Sequence, residues 1–96
     1  MAIAAGEGAV WVTGAGDGVV TRIDPGAGSG LTIRVGQRPV ALAVGAGAVW
    51  VANRDSGSIS RIDPETNDVV DTVEVGAAPA GIAVAGGLVW VAVQAR

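Results

Sequence analysis

The chain has 96 residues, half of them apolar, nine carboxylates against six arginines, a net charge of −3 and no histidine, cysteine, lysine or tyrosine. Six scattered arginines leave no electrostatic footprint for nucleic acid, and without cysteine there is neither a disulfide framework nor thiol chemistry. No apolar run approaches the ~20 residues of a membrane span and no basic leader precedes the first apolar segment, so a soluble chain with no signal peptide and no membrane insertion is expected.

From the N-terminus, short Val-rich runs alternate with turns of Gly, Pro, Asp and Asn, and helical periodicity is missing. The first four runs predict strands A to D near residues 2–5, 8–13, 18–23 and 31–35. The next four fall near 40–44, 48–53, 58–62 and 69–75, and a last pair near 81–84 and 88–93. Each turn has its own chemistry: Gly at 45 and 47 supplies positive φ, Asp55-Ser56-Gly57 suits a hairpin, and Asp63-Pro64 opens a type I turn.

These runs are copies of one unit. Ala41-Leu42-Ala43-Val44-Gly45-Ala46-Gly47-Ala48-Val49-Trp50-Val51 repeats the segment 2–12 and returns at 81–91, so that Trp11, Trp50 and Trp90 are 39 and 40 residues apart. Arg22-Ile23-Asp24-Pro25 recurs as Arg61-Ile62-Asp63-Pro64. A period near 40 made of four short strands is that of a β-propeller blade. Charge rises along each unit: strands A and B carry none, C carries Arg22 or Arg61, and D carries Arg34 or Asp71 and Glu74. A blade requires that gradient, because B is covered on both faces and D is the solvated rim. A sandwich strand should alternate apolar and polar, which Ala48-Val49-Trp50-Val51-Ala52 does not, and the coils of a β-helix are usually shorter than this repeat. The fold class expected is therefore all-β: a β-propeller fragment of about two and a half four-stranded antiparallel blades, with repeats at 1–39 and 40–79 and a partial blade at 80–96.

The stretch Ala43–Asn53, with Ser58–Asn67 and Val73–Gly76 before Pro79, resembles the YVTN-type bacterial β-propeller repeat, Val49-Trp50-Val51-Ala52-Asn53 standing where that family has Tyr-Val-Thr-Asn. The resemblance implies six to eight blades in a full-length relative, often extracytoplasmic and joined to enzyme or regulatory domains, and it implies no shared chemistry. Streptogramin lyases are propeller enzymes expected to use a His base and a divalent metal. This chain has no His, and its carboxylates fall in separate turns and on outer strands.

The repeated residues Trp11, Trp50, Trp90, Asp24, Pro25, Asp63 and Pro64 read as structure: the tryptophans as packing between blades, the aspartates as acceptors for turn N–H groups. The Gly-rich runs at 14–18 and 26–30 lack the helix and Lys of a phosphate loop. Antiparallel order brings the B–C and D–A turns to one face, where the most polar and least uniform turn residues collect: Asp17, Gln37, Arg38, Asn53, Arg54, Asp55 and Ser56. They form the candidate binding face. No catalytic residue, metal site or cofactor is expected. The leading reading is a non-enzymatic binding or scaffold module, with a segment of a lyase-type enzyme and a sensor domain of a regulatory protein as alternatives. An unclosed propeller leaves apolar faces bare, so the partners expected are further blades of a longer chain or a second copy of this one.

Overall fold

A computed structural model describes residues 2–14, 18–26 and 29–94. Its regular structure among them is strand throughout: β1 (Ile3–Gly6), β2 (Ala9–Gly14), β3 (Val19–Asp24), β4 (Ser29–Arg34), β5 (Pro39–Gly45), β6 (Ala48–Asn53), β7 (Ser58–Asp63), β8 (Asp68–Glu74), β9 (Ala78–Ala85) and β10 (Leu88–Gln94). β1 to β4 form one sheet in chain order, β5 to β8 a second, and β9 with β10 a two-stranded third. All pairings are antiparallel. The chain is thus a partial β-propeller, and the observed strands fall within a few residues of those expected. No helix among the described residues is long and apolar enough to cross a membrane.

The inner hairpins turn through Glu7-Gly8, Ala46-Gly47 and Gly86-Gly87, with φ of 50° and 79°, 53° and 75°, and 59° and 77°. Two consecutive positive φ values define a type I′ turn, whose twist matches that of the flanking strands. Glycine was expected to supply this geometry. In two of the three hairpins Glu7 or Ala46 takes the first position instead, at the modest cost an L-residue bears in the left-handed region.

The sheets stack face to face. Trp11, fully buried, joins Ala9, Val20 and Ile33 of the first sheet to Val49, Val51 and Ile62 of the second. Its Nε1 donates to the Gly6 carbonyl at 3.1 Å, and Trp50 Nε1 does the same to Gly45 at 3.2 Å, so each indole is held flat against its own hairpin. Where strand A ends, the sheets interlock. A Cβ on Gly6 would stand 2.7 Å from Val44 Cγ1, and one on Gly45 would stand 3.0 Å from Val84 Cγ1. Backbone without side chain is what lets the following sheet come that close.

Arg22 adds a polar clamp to the same interface. Its guanidinium lies 5.1 Å from the centroid of Trp11, bonds Asp24 Oδ1 at 3.2 Å, and donates to Asn67 Oδ1 at 2.6 Å and to the Pro64 carbonyl of the second sheet. A planar donor fork over an aromatic face suits Arg rather than Lys. Asp24 therefore serves Arg22, whereas Asp63 accepts from the Glu65 N–H at 2.9 Å in the turn itself.

The expectation that all three tryptophans pack between blades holds only for Trp11. Trp50 is half-buried, because β9 and β10 cover only the inner part of its sheet, and Trp90 is 60% exposed, because no described sheet follows β10. The outer strand β8 is exposed along most of its length while β6 is buried, in keeping with the charge gradient in the sequence. Trp11→Ala should cost about 3–5 kcal/mol in urea unfolding, and Trp90→Ala in dilute solution less than about 1 kcal/mol. Equal losses would refute this ordering of the two interfaces.

Candidate functional site

The face selected from the sequence is built where the chain passes from the first sheet to the second. Gly36, Gln37 and Arg38 link β4 to β5, and Arg54 to Gly57 link β6 to β7. Three hydrogen bonds tie the two turns: Arg54 N–H to the Arg38 carbonyl at 2.9 Å, Asp55 N–H to the Gln37 carbonyl at 3.2 Å, and Gln37 N–H to Ser56 Oγ at 2.7 Å. Gln37, Arg38, Asp55 and Ser56 are exposed and Arg54 is half-buried, so the structure brings these five together at one rim. Asp17 lies outside the described residues.

Asn53 is placed beneath this face rather than on it. It is fully buried, and its Nδ2 donates to Ser60 Oγ at 2.8 Å and to Ser58 Oγ at 3.4 Å, anchoring the start of β7. Its Oδ1 has no donor among the described residues. The turn above it must be glycine for steric reasons alone, since a Cβ on Gly36 would stand 2.7 Å from Asn53 Cγ.

The two turns that link successive sheets differ in backbone. In the later one, Val75-Gly76-Ala77-Ala78-Pro79, the positive φ of 74° falls on Gly76. In the earlier one, Val35-Gly36-Gln37-Arg38-Pro39, it falls on Arg38 at 55°. Glycine adopts that conformation freely and arginine does not. Pro39, buried next to it, starts β5 and holds the chain in place. Arg38 and Arg54 make no ion pair among the described residues.

The opposite face carries a shallow cleft of about 350 Å³, lined by Glu7, Gly47, Arg61, Asp63, Pro64, Glu65 and Val70. Arg61 lies 5.6 Å from the Trp50 ring centroid, as Arg22 lies over Trp11, yet it is exposed, because no C–D turn of the third sheet is among the described residues to supply the carbonyl and amide that Arg22 meets. The carboxylates of the cleft do not converge. Among the described residues no three His, Cys, Asp or Glu side chains are placed to share a metal ion. The clamp made by Arg22 is the element that sequence reasoning missed. Its signal was present in the recurrence of Arg before Ile-Asp-Pro, one strand away from Trp11 and from Trp50.

No family model matches the chain, and no curated protein sequence does either. Solved structures of propeller type do match. Hydrazine synthase of Kuenenia stuttgartiensis superposes with a TM-score of 0.87 at 22% identity, over 96% of this chain and 28% of that one. Glutaminyl cyclase of Myxococcus xanthus gives 0.68 at 19% identity, over 96% and 49%. At these identities the likeness is one of fold, and the chain spans under half the length of either protein.

Because Gly36 and Asn53 fill one volume, Gly36→Ala should destabilise the chain by about 1–3 kcal/mol, and adding Asn53→Ala should recover part of that loss. Strictly additive losses in the double mutant, measured by urea unfolding, would show that the two positions do not compete for space.

Proposed function

We propose that the chain is a non-enzymatic β-propeller segment of the YVTN type that binds an acidic partner on the face formed by Gln37, Arg38, Arg54, Asp55 and Ser56. The observation that carries this reading is Arg38. The turn places a bulky cation in a left-handed conformation, whereas the matching turn of the repeat has Ala78 at that position and carries its positive φ on Gly76, the counterpart of Gly36. A strained residue kept on a rigid, cross-bonded turn is a motive for a binding role. Arg54 joins it through the backbone bond to the Arg38 carbonyl. Two arginines on turns joined by backbone hydrogen bonds suit carboxylate or phosphate groups, and the side chains that sequence reasoning grouped here are of the kind that recognise partners on loops of a rigid scaffold. The parent protein in this reading is a bacterial, extracytoplasmic propeller, as the YVTN resemblance implies.

A second reading, a segment of a larger propeller enzyme, is favoured by the names of the two matched structures, hydrazine synthase and glutaminyl cyclase. The chain's own residues offer such an enzyme a scaffold, with the reacting groups in other blades. Flanking reading frame rich in His would point to this second case.

Arg38→Gly separates binding from folding. The variant should be at least as stable as the native chain, since glycine relieves the left-handed backbone, while its affinity for a short oligoglutamate peptide should fall about tenfold. Calorimetric titration showing equal affinity for both proteins, or no binding of the peptide by the native chain, would overturn the assignment of this face.

A further inference from the structure

Each four-stranded sheet of this chain presents two different faces. The face toward the following sheet carries the tryptophan, and the face toward the preceding sheet carries two valines and an isoleucine. In the interface between the first two sheets, Trp11 meets Val49, Val51 and Ile62. The first sheet has the same trio on its own opposite face: Val10 and Ile23 are cross-strand partners as Val49 and Ile62 are, and Val12 stands two residues beyond Val10 as Val51 does beyond Val49. Among the described residues no strand stacks on that face, and Ile3 beside it, the partner of Val12, is 70% exposed. At the other end of the stack, Leu88 and Trp90 share a face of β10 and are exposed to a similar degree. One end thus displays the residues that bury a tryptophan, and the other end displays a tryptophan.

The steric interlock names the occupant. In both internal interfaces a glycine at the end of strand A receives a valine of the next sheet, Gly6 with Val44 and Gly45 with Val84. The two terminal sheets depart from this pattern in opposite senses. The third has Ala85 in the glycine position, paired with Leu88 as Gly45 is with Ala48, and the first has Ala5 in the valine position, paired with Val10 as Val44 is with Val49. A sheet carrying the usual valine would press against the Ala85 methyl, because that valine already comes within 3.0 Å or less of where a glycine Cβ would be. A sheet carrying Ala5 has room for it. Only the first sheet of this chain has alanine there among its three copies of the repeat.

We infer that the chain associates head to tail with a second copy of itself, Trp90 and Leu88 of one copy packing on Val10, Val12 and Ile23 of the next, with Ala85 opposite Ala5. The contact is heterologous, so copies add with one polarity. It continues the same tryptophan-on-aliphatic packing that joins the sheets inside each chain, and removal of these bare faces from water is the driving force.

Sedimentation velocity over a range of concentrations tests this, using side chains exposed enough to be changed without unfolding, with circular dichroism as the check on folding. The native chain should gain mass with concentration. Trp90→Glu blocks one end and Ile3→Glu the other, so each variant alone should remain monomeric and an equimolar mixture should give a dimer and nothing larger. Ala5→Val adds apolar surface yet should weaken association about tenfold, and Ala5→Val with Ala85→Gly should restore it. Non-specific adhesion would respond to Ala5→Val in the opposite direction. A native chain that stays monomeric at high concentration, a mixture of the two blocked variants that fails to pair, or stronger association of Ala5→Val would each overturn the proposal.

Discussion

The close approach of one sheet to the next is the constraint on which the rest of this structure depends. A four-stranded meander with both faces apolar has no stable existence alone, because sheets must bury a face to repay the ordering of their backbone. Here the face is buried by seating an indole on two valines and an isoleucine, and the glycines at 6 and 45 let the inner strands approach until valine methyl groups occupy the space a side chain would take. Dense packing of this kind is short-ranged, so it exists only where the following sheet is present. The gradient from buried Trp11 through half-buried Trp50 to exposed Trp90 is the direct record of how much sheet follows each one.

Polar groups are arranged to serve that stacking. Arg22 lies over the indole of its own sheet and reaches the carbonyl and amide of the next sheet's turn, so one side chain satisfies acceptors on both sides of the interface. Asn53 plays a similar part at the opposite rim: buried against Gly36, it ties β6 to β7 through the hydroxyl groups of Ser58 and Ser60. Buried polar atoms cost stability unless they are paired, so such residues specify register as well as holding it.

The rims can vary because the stack does not rely on them. At the sheet-linking turns the backbone hydrogen bonds are satisfied between neighbouring turns, leaving Gln37, Arg38 and Asp55 free to differ from their counterparts in the later repeat. This separation of a rigid interior from variable turns is the property that suits propellers to recognition, and it also explains why fold likeness to hydrazine synthase and glutaminyl cyclase carries no chemistry with it.

Sequence alone was enough to determine the strands, their order and the propeller architecture, because a repeat near 40 residues, the Gly-rich turns and the outward rise in charge are all local or periodic signals. It also singled out the turns that the fold brings to one rim. What only the tertiary structure decided depends on contacts between sheets, which a one-dimensional pattern does not contain. The near-identical contexts of the three tryptophans pointed to packing between blades for all of them, and the expectation of bare end faces did not say how far each would be buried, since burial depends on the neighbouring sheet rather than on the residue. Asn53 read as a turn residue and proved to be interior, because the strand carries its side chain inward beneath Gly36. The left-handed Arg38 was equally hidden: a proline after it restricts the backbone, but the turn around it is joined through the Gln37 and Arg38 carbonyls to the turn beside it, a contact between distant segments that a local pattern does not contain.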